Sequence, residues 1–322
     1  GPFVVAGGTC MLGRLRIACA AVAVLFATVP SHGQEGPYNV DVVVRAEIKG
    51  QPAPLQPTDV KVQFDGKVVP IQKLEPLMNS HAQPVQIAIL IDDGLRGSFG
   101  TQLNDIRRFV SELVSEHAMV GVAYMRNGRA DFGGGGFTSD PDLVEKQLRL
   151  PMAGGGISGS PYFCLQDLLK NWPGNYSRPR AVLMITNGID LYNGAPTPNN
   201  QSSPYVQSAI QDAQKAGVPV YSIYYGRFDV HLGYGSFSGQ SYLGDLADGT
   251  GAQTFNQGSL NPPSIAPYLK DFEKSLNESW LLQFQTGSRK LQSLKIQGAK
   301  GTKVYAPRMA MAKDAAANGV MR

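Results

Sequence analysis

From Val85 to about Ser279 the chain alternates short apolar runs with stretches in which apolar residues return every three or four positions. The runs Gln86–Asp92, Met119–Met125, Ala181–Thr186, Pro219–Tyr225 and Ala252–Phe255 read as strands. They are nearly uninterrupted in hydrophobicity, as expected of strands covered on both faces. The stretches Thr101–His117, Asp140–Arg149, Tyr162–Trp172, Val206–Ala216, Gln240–Gly249 and Ile265–Ser279 read as helices. In the first of these, Leu103, Ile106, Phe109, Val110, Leu113 and Val114 make one apolar face. Strand–helix alternation of this kind predicts a Rossmann-like open, mainly parallel sheet with helices on both faces.

The two ends follow another pattern. VDVVVRAEI, VKVQFD and KVVPIQKLEP are strand-like and separated by Lys49-Gly50-Gln51-Pro52 and by Asp65-Gly66, a hairpin signal. SWLLQFQ, LQSLKIQG and TKVYAP return to strands after Ser279, and MAMAKDAAANGVMR reads as a loose tail. About forty residues are few for an independent domain. The two ends are therefore expected to pair into a small β-sandwich beside the α/β region. The expected divisions are 1–34 (upstream residues and a signal peptide), 35–80 (N-terminal β segment, its last residues a polar linker), 81–279 (α/β domain) and 280–322 (C-terminal strands and tail).

The segment Met11 to Arg16 is short and basic, and Ile17 to Val29 is apolar but short for a membrane span. Followed by Ser31-His32-Gly33, this is the pattern of a secretory signal cleaved near Gln34. It implies a secreted or periplasmic protein with no transmembrane anchor after cleavage. Without Arg14 and Arg16 the chain has 27 basic and 25 acidic residues and no Lys/Arg cluster, so nucleic acid is not an expected partner. Cys10 and Cys19 precede the cleavage point, which leaves Cys164 alone, in an apolar helical pattern that reads as core.

Three enzyme signatures fail on context. Gly154-Gly155-Gly156-Ile157-Ser158-Gly159 spells GxGxxG, but it follows RLPMA rather than a strand. IAILIDD resembles the acid-terminated strand of P-loop enzymes, yet the chain holds no GxxxxGK[ST]. A nucleophile needs a base beside it. His81, His117 and His231 lie in a linker, at a helix end and in a Gly/Tyr-rich loop. No catalytic residue is assigned. A hydrolase with an unrecognised site and a structural subunit of the cell envelope are the alternatives to a binding module.

The alternation, the acid after the first α/β strand and the Gly-rich loop before the third helix resemble a von Willebrand factor type A domain. LQPTDVKVQFDGKVVPI (Leu55–Ile71), LADGTGAQTF (Leu246–Phe255), WLLQFQ and TKVYAPRM are similar to ordered motifs of the secreted "von Willebrand factor A-related" family of the Acidobacteria type. That resemblance implies a protein-binding site at the carboxyl edge of the sheet, in the family a metal-ion-dependent adhesion site. Its pattern is DxSxS after the first strand, a Thr in a GGT loop and a later Asp, hard oxygen donors suited to Mg²⁺.

Matched position by position, Asp92 is the leading Asp, followed by Asp93. Gly94 and Arg96 stand at the two Ser positions, Gly156 at the Thr position with Ser158 nearby, and Asn187 at the final Asp. With Asp92 the one retained ligand, no metal is expected to bind and no cofactor is implied. Arg96 either points into solvent from its loop or supplies a cation to Asp92, Asp93 or a partner's carboxylate. The loops Asp190–Tyr205 and Arg227–Ser241, rich in Tyr, Asn, Ser and Gly, suit a protein or glycan ligand. Function is thus expected to be non-enzymatic binding or adhesion through Asp92, Asp93, Gly94, Arg96, Gly156, Ser158 and Asn187.

Overall fold

The computed structural model describes residues 37–78, 84–95, 97–152, 160–226, 234–258 and 260–313. The signal segment expected over residues 1–34 lies outside the described residues, as do Arg96, Gly156 and Ser158. The described chain opens with strands β1 (Tyr38–Ile48), β2 (Gln51–Pro52), β3 (Lys61–Phe64), β4 (Lys67–Val69) and β5 (Ile71–Pro76). The α/β region follows as β6 (Val85–Asp92), α1 (Leu103–Leu113), β7 (Ala118–Arg126), β8 (Arg129–Asp131), α2 (Pro141–Glu145) and α3 (Pro161–Lys170). It continues through β9 (Arg180–Thr186), α4 (Pro204–Ala216), β10 (Val220–Tyr224), α5 (Tyr234–Thr250), β11 (Thr254–Phe255) and α6 (Ala266–Asn277). Strands β12 (Ser279–Thr286), β13 (Gln292–Gln297), β14 (Thr302–Tyr305) and β15 (Met309–Ala310) close it.

The central sheet runs β11-β10-β9-β6-β7-β8. Neighbours are parallel except β8, which returns antiparallel to β7, so the sheet is mixed at that edge. The reversal was written in the sequence as Asn127-Gly128, whose φ values of 49° and 73° make the tight turn between β7 and β8. That hairpin was missed because β8 is too short to show a period. Helix α2 is also shorter than the Asp140–Arg149 pattern suggests. It ends at Glu145 because Gln147 leaves the helical path, its side-chain amide accepting from Val122 N–H at 2.8 Å and donating to Gly136 C=O at 2.9 Å.

Two apolar clusters cover the sheet's faces. Side chains of α1, α2 and α6 pack with Ile87, Ile89, Ile91 and Leu183 on one face. Those of α3, α4 and α5 pack with Ala88, Leu90, Val182 and Met184 on the other. Alternate residues of β6 thus enter different cores, and the unbroken IAILI run follows from that. Each buried Leu or Ile contributes about 1.5–3 kcal/mol relative to exposure. Caps set the helix starts. Ser160 before Pro161 and Ser203 before Pro204 accept the first orphan N–H groups of α3 and α4, and Gly217, at φ 65°, ends α4.

The chain's two ends pair with each other. β1 lies between β12 and β14, with β5 beyond β12. β13 lies between β3 and β15, with β4 beyond β3. Val40, Val42 and Val44 of one sheet share a core with Val62, Phe64 and Leu294 of the other, and Phe64 meets Phe284 at a ring distance of 5.1 Å. Val43, the residue between, faces the α/β core instead. The VVV run of β1 is therefore the seam between the two layers.

Candidate functional site

In the central sheet the chain steps outward from β6 through β7 to β8, then restarts beside β6 with β9 and steps the other way. The strand order reverses between β6 and β9, so the loops leaving their carboxyl ends diverge and leave a crevice there. Asp92 ends β6 and Thr186 ends β9.

The two join across the crevice. Thr186 hydroxyl donates to Asp92 Oδ2 at 2.7 Å, and Gly94 N–H donates to Asp92 Oδ1 at 2.8 Å. Thr186 is fully buried, and its oxygen also accepts Gly188 N–H at 3.2 Å. Asp92 is half-buried, whereas Asp93, Gly94 and Asn187 are buried.

Asp93 points the other way and is 1% exposed. Arg149 grips it with both terminal nitrogens, at 2.6 Å and 3.1 Å, and Met152 N–H adds a third bond at 2.9 Å. The guanidinium lies over the Tyr124 ring, 3.8 Å from its centre. Tyr124 hydroxyl in turn accepts Arg149 N–H at 2.7 Å and donates to Arg149 C=O at 2.5 Å. The hydrogen bond to Asp93 pushes the Arg149 guanidinium above its usual range, so its charge is permanent. Burial pushes the Tyr124 phenol up, so it stays protonated. A bidentate, stacked arginine in a buried corner is the geometry at which Lys is no substitute.

Asn187 is buried, and its side-chain oxygen accepts Ile189 N–H at 2.9 Å, within its own loop. The loop is pressed under α5. A Cβ at Gly239 would lie 2.0 Å from Asn187 C=O, and one at Gly188 (φ 67°) would lie 2.6 Å from Gly239 C=O. Tyr162 hydroxyl donates to Gly188 C=O at 2.8 Å, and Ser203 hydroxyl donates to the buried Asp190 at 2.6 Å. The stretch Arg227–Ser241, expected as a recognition loop, is corrected here: from Tyr234 onward it is helix, with Ser236, Ser238 and Gly239 buried. Small residues that read as a loop are what lets α5 approach Asn187 this closely.

Asp92, Asp93, Gly94 and Asn187 therefore do gather at one edge. Arg149, Thr186 and Tyr124 complete the site and were missed. Thr186 was visible as the polar end of an apolar strand; Arg149 carried no local signal, because a backbone path from α2 back to the edge brings it there. Among the described residues no group of three His, Cys, Asp or Glu side chains is placed to hold a metal ion. Cys164 is buried, and burial pushes its thiol up to about 12, far from a nucleophile's range. Among the described residues no helix is long and apolar enough to cross a membrane.

No family model matches the sequence, and no curated protein does. Its matches among solved structures are remote. One is an aerotolerance-related membrane protein from Bacteroides fragilis, 14% identical with a TM-score of 0.42 over 60% of this chain and 99% of that one. A second is the conserved hypothetical protein BatB from Bacteroides thetaiotaomicron, at 13%, 0.41, 60% and 97%. A third is proximal thread matrix protein 1 from the mussel byssus with a zinc-occupied MIDAS motif, at 14% and 0.42 over 65% of this chain. This chain spans about half of that protein's length.

Proposed function

We propose that this protein is a secreted von Willebrand A-type binding module, without enzymatic activity, whose carboxyl sheet edge receives a protein partner without a divalent ion. The bidentate Arg149–Asp93 pair carries this reading. A magnesium site of the adhesion type gathers several hard oxygen donors around an open position. Here one of the two adjacent carboxylates is buried and spent on a guanidinium. The other has its oxygens engaged by Thr186 hydroxyl and Gly94 N–H. Gly94 and Asn187 bring no carboxylate or hydroxyl to replace it, and Asn187's amide oxygen is committed to Ile189. Arg149, 32% exposed at the same edge, has its charge paired with Asp93. Secretion follows from the residue pattern of 11–33.

Calorimetric titration with Mg²⁺ and Mn²⁺ tests the reading. No heat of binding is expected in the micromolar range, and chelator is expected to leave capture of a partner from the cell envelope unchanged. Micromolar binding that disappears in Asp92→Ala would overturn it.

A further inference from the structure

Strands β6, β9, β10 and β11 are parallel, so the loops after them share one edge of the molecule. Met152 N–H on Asp93 fixes the segment 150–152 at that edge too. Large apolar side chains stand out of these loops. They are Leu150 and Met152 beside Asp93, Leu191 and Tyr192 after β9, Phe237 in the first turn of α5, and Leu260 after β11. Each is between 58% and 64% exposed. Among the described residues they make up most of the exposed large apolar side chains. Isolated exposed apolar residues are ordinary, but a concentration at one end of a molecule marks an interaction surface.

The segments that carry these side chains are nearly free of charge, the charged groups of the same edge being Asp92 at the end of β6, Arg149 on Asp93 and the exposed Arg126 and Arg129 at the β7–β8 turn. In a chain with 17% charged residues, the described positions 150–152, 187–203, 234–241 and 256–264 carry one, Asp190, and it is buried. Arg149, which precedes them, is neutralised by Asp93. Tyr192 is held in place, with ring contacts of 4.9 Å to Phe163 and 5.4 Å to Tyr205, so ordering it on binding costs little.

We infer that this face is where two copies of the chain meet. The inference rests on the reading of the carboxyl edge as the binding edge and names its partner. Depletion of charge together with Leu, Met, Tyr and Phe is the composition of a homodimer interface core. The six exposed side chains amount to between three and four full ones, on the order of 700 Å² at roughly 200 Å² each. A stable two-fold interface needs about 800 Å² from each partner.

Sedimentation equilibrium of the full chain across micromolar concentrations tests this. A reversible monomer–dimer equilibrium is expected, changing less than about twofold between low and high salt, because no charge pairs form it. Leu191→Asp and Phe237→Asp are each expected to weaken it by roughly tenfold or more, with Val68→Asp on the sandwich leaving it unchanged. Leu260→Asp serves if circular dichroism shows either variant unfolded. A monomer at every concentration, or a dimer indifferent to these variants, overturns the inference. A monomer that still captures another protein through this edge overturns it while leaving the proposed function standing.

Discussion

The carboxyl edge of the α/β sheet and the sandwich built from the chain ends use the same raw material in opposite ways. In the sandwich, apolar residues are turned inward and most charges outward, the buried Arg45 paired with Glu47 and Glu278 being the exception. Lys61, Lys67 and Lys295 stand exposed, and Val62, Phe64 and Leu294 fill the core between the sheets. At the carboxyl edge the inversion is nearly complete: Asp93, Thr186 and Asp190 are buried, while Leu150, Leu191 and Phe237 face outward. The sandwich is stabilised by area removed from water. The edge is stabilised by directional pairs, Asp93 with Arg149 and Asp92 with Thr186, whose burial is tolerated because each has its partner. The lesson is that the two regions fail differently: one by losing a layer, the other by losing a single partner.

The largest effect expected is from removing a layer. Deleting Gln292–Arg322 takes away β13, β14 and β15, leaving β3 without its long neighbour and exposing Val62 and Phe64. Limited proteolysis read by mass spectrometry is expected to show cleavage within Tyr38–Phe64 that the full chain resists. Unchanged resistance there would mean the N-terminal strands stand alone and the two-ended sandwich is not a unit.

Next is the loss of a partner. Arg149→Ala leaves Asp93 buried without its counter-charge and is expected to cost roughly 3–5 kcal/mol in urea unfolding. Asp93→Asn in the same chain is expected to recover a large part of that, since a neutral amide needs no cation. Equal loss in the single and double variants would show that Arg149 acts by packing on Tyr124 rather than by charge.

The smallest effect concerns the helix over the Asn187 loop. Gly239→Ala favours the helix by up to about 1 kcal/mol. The new methyl meets Asn187 C=O, so overpacking of about 1–3 kcal/mol is expected to prevail. A lowered thermal midpoint checks this; a raised one would mean α5 sits farther from the loop and that the edge is less closed than the sandwich.

Much of the framework was legible. Periodicity separated α/β region from flanking strands because a strand covered on both faces must be apolar at every position, and β6 and β9 are. Asp65-Gly66 marked a turn through backbone chemistry that is local by nature. The candidate site was legible only in part. Asp92, Asp93 and Asn187 were found because they end strands, but their roles were not. Alternation along β6 sends Asp92 to the crevice and Asp93 toward Tyr124, and nothing in the dipeptide says which neighbour each will meet. The cation on Asp93 is Arg149, fifty-six residues away along the chain.

The amino-acid sequence by itself determined the alternation of elements, the apolar faces, the turns and the placement of carboxylates at a strand end, because each depends on residues within a few positions of one another. Only the tertiary structure decided that β9 returns beside β6, that Thr186 hydroxyl closes on Asp92, and that Arg149 neutralises Asp93. It also decided that a stretch rich in Gly and Ser becomes the helix sealing Asn187. Those pairings join residues distant in the chain, and the free energy that selects them comes from excluding water around partners that only folding brings together.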